Sequence, residues 1–148
     1  MIYNTTYTNN DYEKESNNLI GNKYSFIEKI KMGGIGSGRL FISKLSENLN
    51  LNLKKLKFSE IDYANIELRP KGIIVHFTSR LDRFSWIIPY YRLVFYNSEF
   101  FSIHANGGFI SFTKNKNYRE NKNFINKINL FKNKFIDGDY YDTPIKNN

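Results

Sequence analysis

Residues 64–113, ANIELRPKGIIVHFTSRLDRFSWIIPYYRLVFYNSEFFSIHANGGFISFT, decide the fold. Short β-branched and aromatic runs alternate here with turn chemistry, the pattern of successive strands. Residues 66–68 read as a strand, and Arg69-Pro70-Lys71-Gly72 as a turn. Pro70 presets its own φ there, and Gly72 can take a positive one. Residues 72–78 form the next strand, and the polar residues 80–83 turn the chain. Residues 84–88 run until Pro89, which has no N–H to donate to a ladder. Alternation across 90–96 predicts a further strand, and Asn97-Ser98-Glu99 a turn. Residues 100–104 and 109–113 flank Ala105-Asn106-Gly107-Gly108. Its Asn-Gly pair is the strongest short hairpin signal.

Beyond this stretch the period changes. Phe124, Ile128, Phe131 and Phe135 recur at helical spacing with Ile125 beside them, an apolar stripe that predicts a helix over 121–136. Asp137-Gly138-Asp139 is expected to stop it. Strands in succession followed by one helix argue against βαβ units and a parallel sheet. The fold class is therefore α+β, mainly β: a strongly bent antiparallel sheet or partly open barrel capped by an amphipathic helix.

The region before residue 64 is less decisive. Residues 1–18 are polar and aperiodic, and read as a flexible tail. Residues 24–32 alternate roughly as a strand would. The glycines from Gly33 to Gly38 break any regular element. Leu40, Phe41, Leu45 and Leu49 suit one face of a short helix, and a strand fits almost as well. Residues 49–58 alternate Leu with Asn or Lys, as a strand with one wet face does. One domain over 19–136 with a short tail at 137–148 accommodates these parts.

Composition narrows the chemistry. There are no cysteines, so thiolate nucleophiles, disulfides and Cys-ligated metals are excluded. No run approaches the ~18 apolar residues a spanning helix needs. The first residues lack a basic n-region and an apolar h-region, so a cytoplasmic location is expected. The Asn and Lys bias reads as the codon habit of an AT-rich genome.

Net charge is +8. Lys114, Lys116, Arg119, Lys122, Lys127, Lys132 and Lys134 stand against Glu120 alone within 114–134. Such a field attracts nucleic acid, acidic lipid headgroups or acidic protein faces. Arg80, Arg83 and Arg92 also cluster in sequence around Trp86, Tyr90 and Tyr91, and cations beside rings can hold phosphates.

Other candidates carry less. Gly34, Gly36 and Gly38 form G-x-G-x-G, but a Walker lysine and a strand-then-helix context are missing, so a flexible connection is expected. His76 and His104 are the only histidines, too few for a metal site without carboxylate companions at ligand spacing. Glu60 with Asp62, and Asp137, Asp139 and Asp142, fit turns better than acid–base pairs. No serine has a nucleophile-elbow context. No catalytic residue, metal or cofactor is implied.

Residues 65–135 resemble the later part of a pleckstrin-homology-like domain, in its bacterial and GRAM-like versions. The resemblance rests on the hairpin Ile66-Glu67-Leu68 … Gly72-Ile73-Ile74-Val75, on the step Ile88-Pro89-Tyr90 followed by Leu93-Val94-Phe95, and on two more strands before a C-terminal helix. It implies a helix capping one open end of a barrel. Domains of this kind bind phosphoinositides, proteins or nothing known, and their headgroup site is made mainly by loops between early strands, so the arginine cluster is not carried over.

The leading functional expectation is a non-enzymatic binding module for a protein partner or an anionic membrane surface. Lys122, Lys127, Lys132, Lys134, Arg80, Arg83 and Arg92 are its candidate contacts, and exposed strand edges a further route by strand addition. Nucleic-acid binding through the lysine-rich helix is the second expectation. An enzyme using carboxylates and the glycine loop is the third.

Overall fold

Asn106 and Gly107 have φ values of 52° and 80°, the paired left-handed geometry of a type I′ turn. They join β7 (Phe101–Ala105) to β8 (Gly108–Phe112), with Ala105 opposite Gly108. A computed structural model describes residues 2–47, 61–79 and 82–146 of the chain. The strand expected over 49–58 lies outside them.

Three long strands form a meander: β3 (Ile61–Arg69), β4 (Gly72–Ser79) and β5 (Asp82–Pro89). β2 (Leu40–Leu45) settles the helix-or-strand ambiguity of its segment in favour of the strand. It pairs with β3 through Leu40 and Phe41, then with β8 from Ile42 to Leu45 across a register shift. That irregularity turns one strand from one half of the sheet to the other. β1 (Ile2–Asn4) adds to the far side of β5, and β6 (Val94–Asn97) to β7. The described strands make one open antiparallel sheet in the order β1-β5-β4-β3-β2-β8-β7-β6.

β5 and β6 are consecutive in the chain, yet five strands lie between them. In a flat sheet the gap would be about 29 Å at ~4.8 Å per strand. Only residues 90–93 connect them, a reach of roughly 18 Å even when extended. The sheet must therefore curl to bring its two halves face to face.

The connection itself corrects the first half of the strand expected over 90–96, whose second half is β6. Tyr90–Arg92 is a 3-10 turn closed by the Leu93 N–H donating to the Tyr90 carbonyl. Tyr90 points inward, fully buried, and its hydroxyl donates to the Arg69 carbonyl at 2.9 Å. The pull of that ring into the core ends the alternation.

Inside the curl lies one apolar core. Ala64, Ile66 and Leu68 of β3, Ile73, Val75 and Phe77 of β4, and Phe84, Trp86 and Ile88 of β5 face it at period two. A short helix α3 (Lys116–Glu120) and the long C-terminal helix α4 (Lys122–Lys146) cover its opening. The expected stripe does this packing: Ile125 and Ile128 are buried, and Phe124, Phe131 and Phe135 pack beside them. The Phe135 ring lies 5.8 Å from that of Tyr90. The expected stop at residues 137–139 does not hold, and α4 continues into the presumed tail. A lone helical glycine costs only about 1 kcal/mol, and a Cβ at Gly138 would meet nothing within 4 Å.

The N-terminal expectations are also revised. Residues 1–18 carry β1 and most of helix α1 (Asn10–Ile20) rather than a tail. Asn9 caps α1 by accepting the Tyr12 N–H. The helix covers the outer face of the meander, where Ile20 packs on Ile74 and Ile87 in a second, smaller cluster. Residues 24–32, expected as a strand, form helix α2 (Phe26–Lys31) instead. Ser25 and Glu28 build a full capping box that starts it.

Gly72 marks the contact between α1 and the sheet. It is not among the glycines with positive φ; it is required because a Cβ there would lie 2.4 Å from both the Ile20 side chain and the Ile88 carbonyl. Gly72→Ala is expected to destabilise the fold by about 1–3 kcal/mol through overpacking, read as a lower urea midpoint.

Candidate binding surface

The lysines singled out in the sequence have different surroundings. Lys122 and Lys134 are exposed on α4, and Lys132 is half-buried. Lys127 is committed inside the molecule: its Nζ donates to the carbonyls of Met32 at 2.8 Å and Gly34 at 3.0 Å. Those carbonyls sit where α2 ends, so the ammonium caps that end and ties it to α4. At 100° per residue, Lys127, Leu130 and Lys134 share one flank of α4 while Lys132 lies on the opposite flank.

The arginine and aromatic constellation is dispersed. Trp86 and Tyr90 are core residues. Arg83 is exposed near the start of β5, and Arg92 is exposed in the 3-10 turn beyond its other end. Arg80 lies outside the described residues. Among the described residues of the group, Arg92 keeps an aromatic partner, its guanidinium 5.4 Å from the Tyr91 ring, while its Nη1 donates to Asn106 Oδ1. A shallow cleft of about 270 Å³ beside Arg92 is lined also by Val94, Tyr96 and His104. There His104 stacks on Phe109 and meets Tyr96 edge-on, and burial lowers its pKa.

The glycine stretch is held in place rather than flexible. Gly36 bridges to Glu67, and the Ser37 N–H donates to the Ile66 carbonyl. The Ile35 carbonyl accepts from the Leu68 N–H, and the Gly38 N–H donates to Asn121 Oδ1. Amides engaged in this way are not aimed at a phosphate.

Sequence reasoning missed two features. The first is a polar row on the outer face of the meander, where His76 lies directly opposite Ser85 and Glu67 reaches it diagonally from two positions along β3. His76 Nδ1 is 2.7 Å from Ser85 Oγ, and His76 Nε2 is 3.0 Å from Glu67 Oε1. Ser85 Oγ also meets Thr5 Oγ1 at 2.8 Å. The row has the composition of a nucleophilic triad, but Ser85 is fully buried, and a hydroxyl closed to solvent cannot meet a substrate.

Glu67 also pairs with Arg69, which is 1% exposed. Arg69 in turn donates to the Gly21 carbonyl at 2.8 Å and to Asn17, anchoring the C-terminal end of α1 where a cation suits the helix dipole. Among the described residues, no group of three His, Asp or Glu side chains is placed to hold a metal.

The second missed feature is the face of α2. Phe26, Ile27 and Ile30 are 76%, 65% and 64% exposed, and the helix buries none of its residues. Lys23 and Lys31 beside them are exposed as well.

Burial by itself would raise the Glu67 carboxyl, but hydrogen bonds from His76 and Arg69 and the Arg69 charge hold it at about 2, against an ordinary 4.5. A carboxylate depressed in the native state stabilises the fold above its unfolded pKa, and that contribution fades as pH falls from about 4.5 towards 2. Glu67→Gln should therefore flatten the acid limb of urea stability measured between pH 5 and 2. At pH 7 it should cost about 3 kcal/mol, because Arg69 is left buried without its anion.

Compared with protein-family models, curated proteins and solved structures, the chain matches none of them.

Proposed function

We propose that this chain is a non-enzymatic binding module of pleckstrin-homology-like architecture that docks on an anionic membrane surface. The architectural part is supported by the strand order β5-β4-β3-β2-β8-β7-β6 followed by a helix over the open end of the curl. One electrostatic observation carries the functional part. Glu120, the single carboxylate within 114–134, faces Lys116 at 3.8 Å. Lys122, Lys132 and Lys134 then have no ion-pair partner among the described residues. Cations without internal partners near the surface each gain roughly 1 kcal/mol beside anionic headgroups.

Sedimentation with phosphatidylserine-rich vesicles tests this reading. The wild type should pellet with them, weaken as salt rises, and ignore neutral phosphatidylcholine. Lys122→Ala, Lys132→Ala and Lys134→Ala together should weaken binding by about tenfold to a hundredfold, with Lys127 left to hold α2. Binding that a short oligonucleotide displaces completely, but that lipid does not saturate, would reassign the lysines to nucleic acid. Absence of vesicle binding at low salt would sink the reading and leave an acidic protein face as the partner class.

A further inference from the structure

We propose that α2 is a membrane wedge: its exposed turn inserts Phe26, Ile27 and Ile30 into the interfacial layer of an anionic bilayer. The inference rests on the membrane reading above and adds the part of the molecule that enters the lipid. Three large apolar side chains at i, i+1 and i+4 form one apolar face, and each is about two-thirds exposed or more. Among the described residues nothing buries them, and α2 contributes no buried residue. A lone surface leucine needs no explanation, but a helical face of this kind on an otherwise polar turn does.

The surroundings favour lipid as the occupant. Lys23 and Lys31 are exposed on either side of the turn, and Lys29 is half-buried within it. The one carboxylate of the helix, Glu28, is occupied by the capping box, where it accepts the Ser25 N–H at 3.0 Å. At 100° per residue its carboxylate also stands on the side of α2 opposite Phe26, Ile27 and Ile30, away from the inserting face. Lys127 fixes the end of α2 to α4 on the flank that also carries Leu130, 60% exposed, and Lys134. Apolar side chains with lysines around them match the depth profile of a bilayer surface, hydrocarbon below and anions above. A second copy fits less well, because a two-fold interface would set these lysines against their own counterparts.

The test uses the full chain with Trp86 as an internal standard, since it is the only tryptophan and is 2% exposed. In Phe26→Trp, emission from the new residue should shift blue on anionic vesicles and be quenched by brominated acyl chains, while Trp86 is unaffected. Ile27→Ser with Ile30→Ser should stay folded, as judged by unchanged Trp86 emission, and should bind vesicles about tenfold or more weakly. Salt-sensitive binding of the wild type, without quenching and without loss in the serine pair, would overturn the wedge and leave surface docking intact. If the wild type binds no vesicles, both readings fall. A concentration-dependent dimer abolished by the serine pair would then assign the face to a second copy.

Discussion

The distance from Pro89 to Val94 constrains this molecule more than any single contact. Two strands at nearly opposite ends of the sheet are joined by residues 90–93. A flat sheet is impossible, so the apolar sides of the two halves must face each other. What remains open at the end of the curl is the area that α3 and α4 cover with Tyr118, Ile125 and Ile128. Tyr90 holds the corner: its ring packs near Phe135, and its hydroxyl returns to the Arg69 carbonyl. The same residue thus joins the meander, the turn and the capping helix.

The outer face follows a different logic. Ile74 and Ile87 face α1 with Ile20, and polar side chains surround this small patch. Buried polar groups are tolerable only when partnered. Here each is: Arg69 by Glu67, Asn17 and the Gly21 carbonyl, and His76 by Glu67 and Ser85. These contacts fix where α1 lies more narrowly than three isoleucines would, because hydrogen bonds have direction and apolar burial does not.

Legibility along the sequence tracked locality. The Asn106-Gly107 hairpin and the Phe124/Ile128/Phe131/Phe135 stripe are short-range signals, and both stand in the structure. The strand expected over 90–96 holds from Val94 onward, but its first residues misled because Tyr90 enters the core, a long-range contact. α2 was misread for a related reason: its apolar residues face solvent, so periodicity aimed at a core had no meaning there. The asparagines looked like compositional bias, yet Asn9 and Asn115 cap helices and Asn106 takes a left-handed φ. Of the candidate contacts, Lys122 and Lys134 are exposed on α4 and Lys132 is half-buried. Lys127 is held internally, because its partners are backbone carbonyls 93 and 95 residues away in sequence.

An open antiparallel sheet ordinarily exposes two templates for intermolecular β-growth. Among the described residues the outermost strands are β1 with three residues and β6 with four. So few unpaired backbone groups cannot register a long run of an incoming chain. Of the longest described strands, β3 and β4 lie between neighbours, and β5 meets β1 on its outer side from Phe84 to Trp86. The curl therefore places the most amyloid-competent segments in the middle of the sheet and leaves short edges outside. That arrangement protects an aromatic-rich, cysteine-free chain from polymerising without covalent crosslinks.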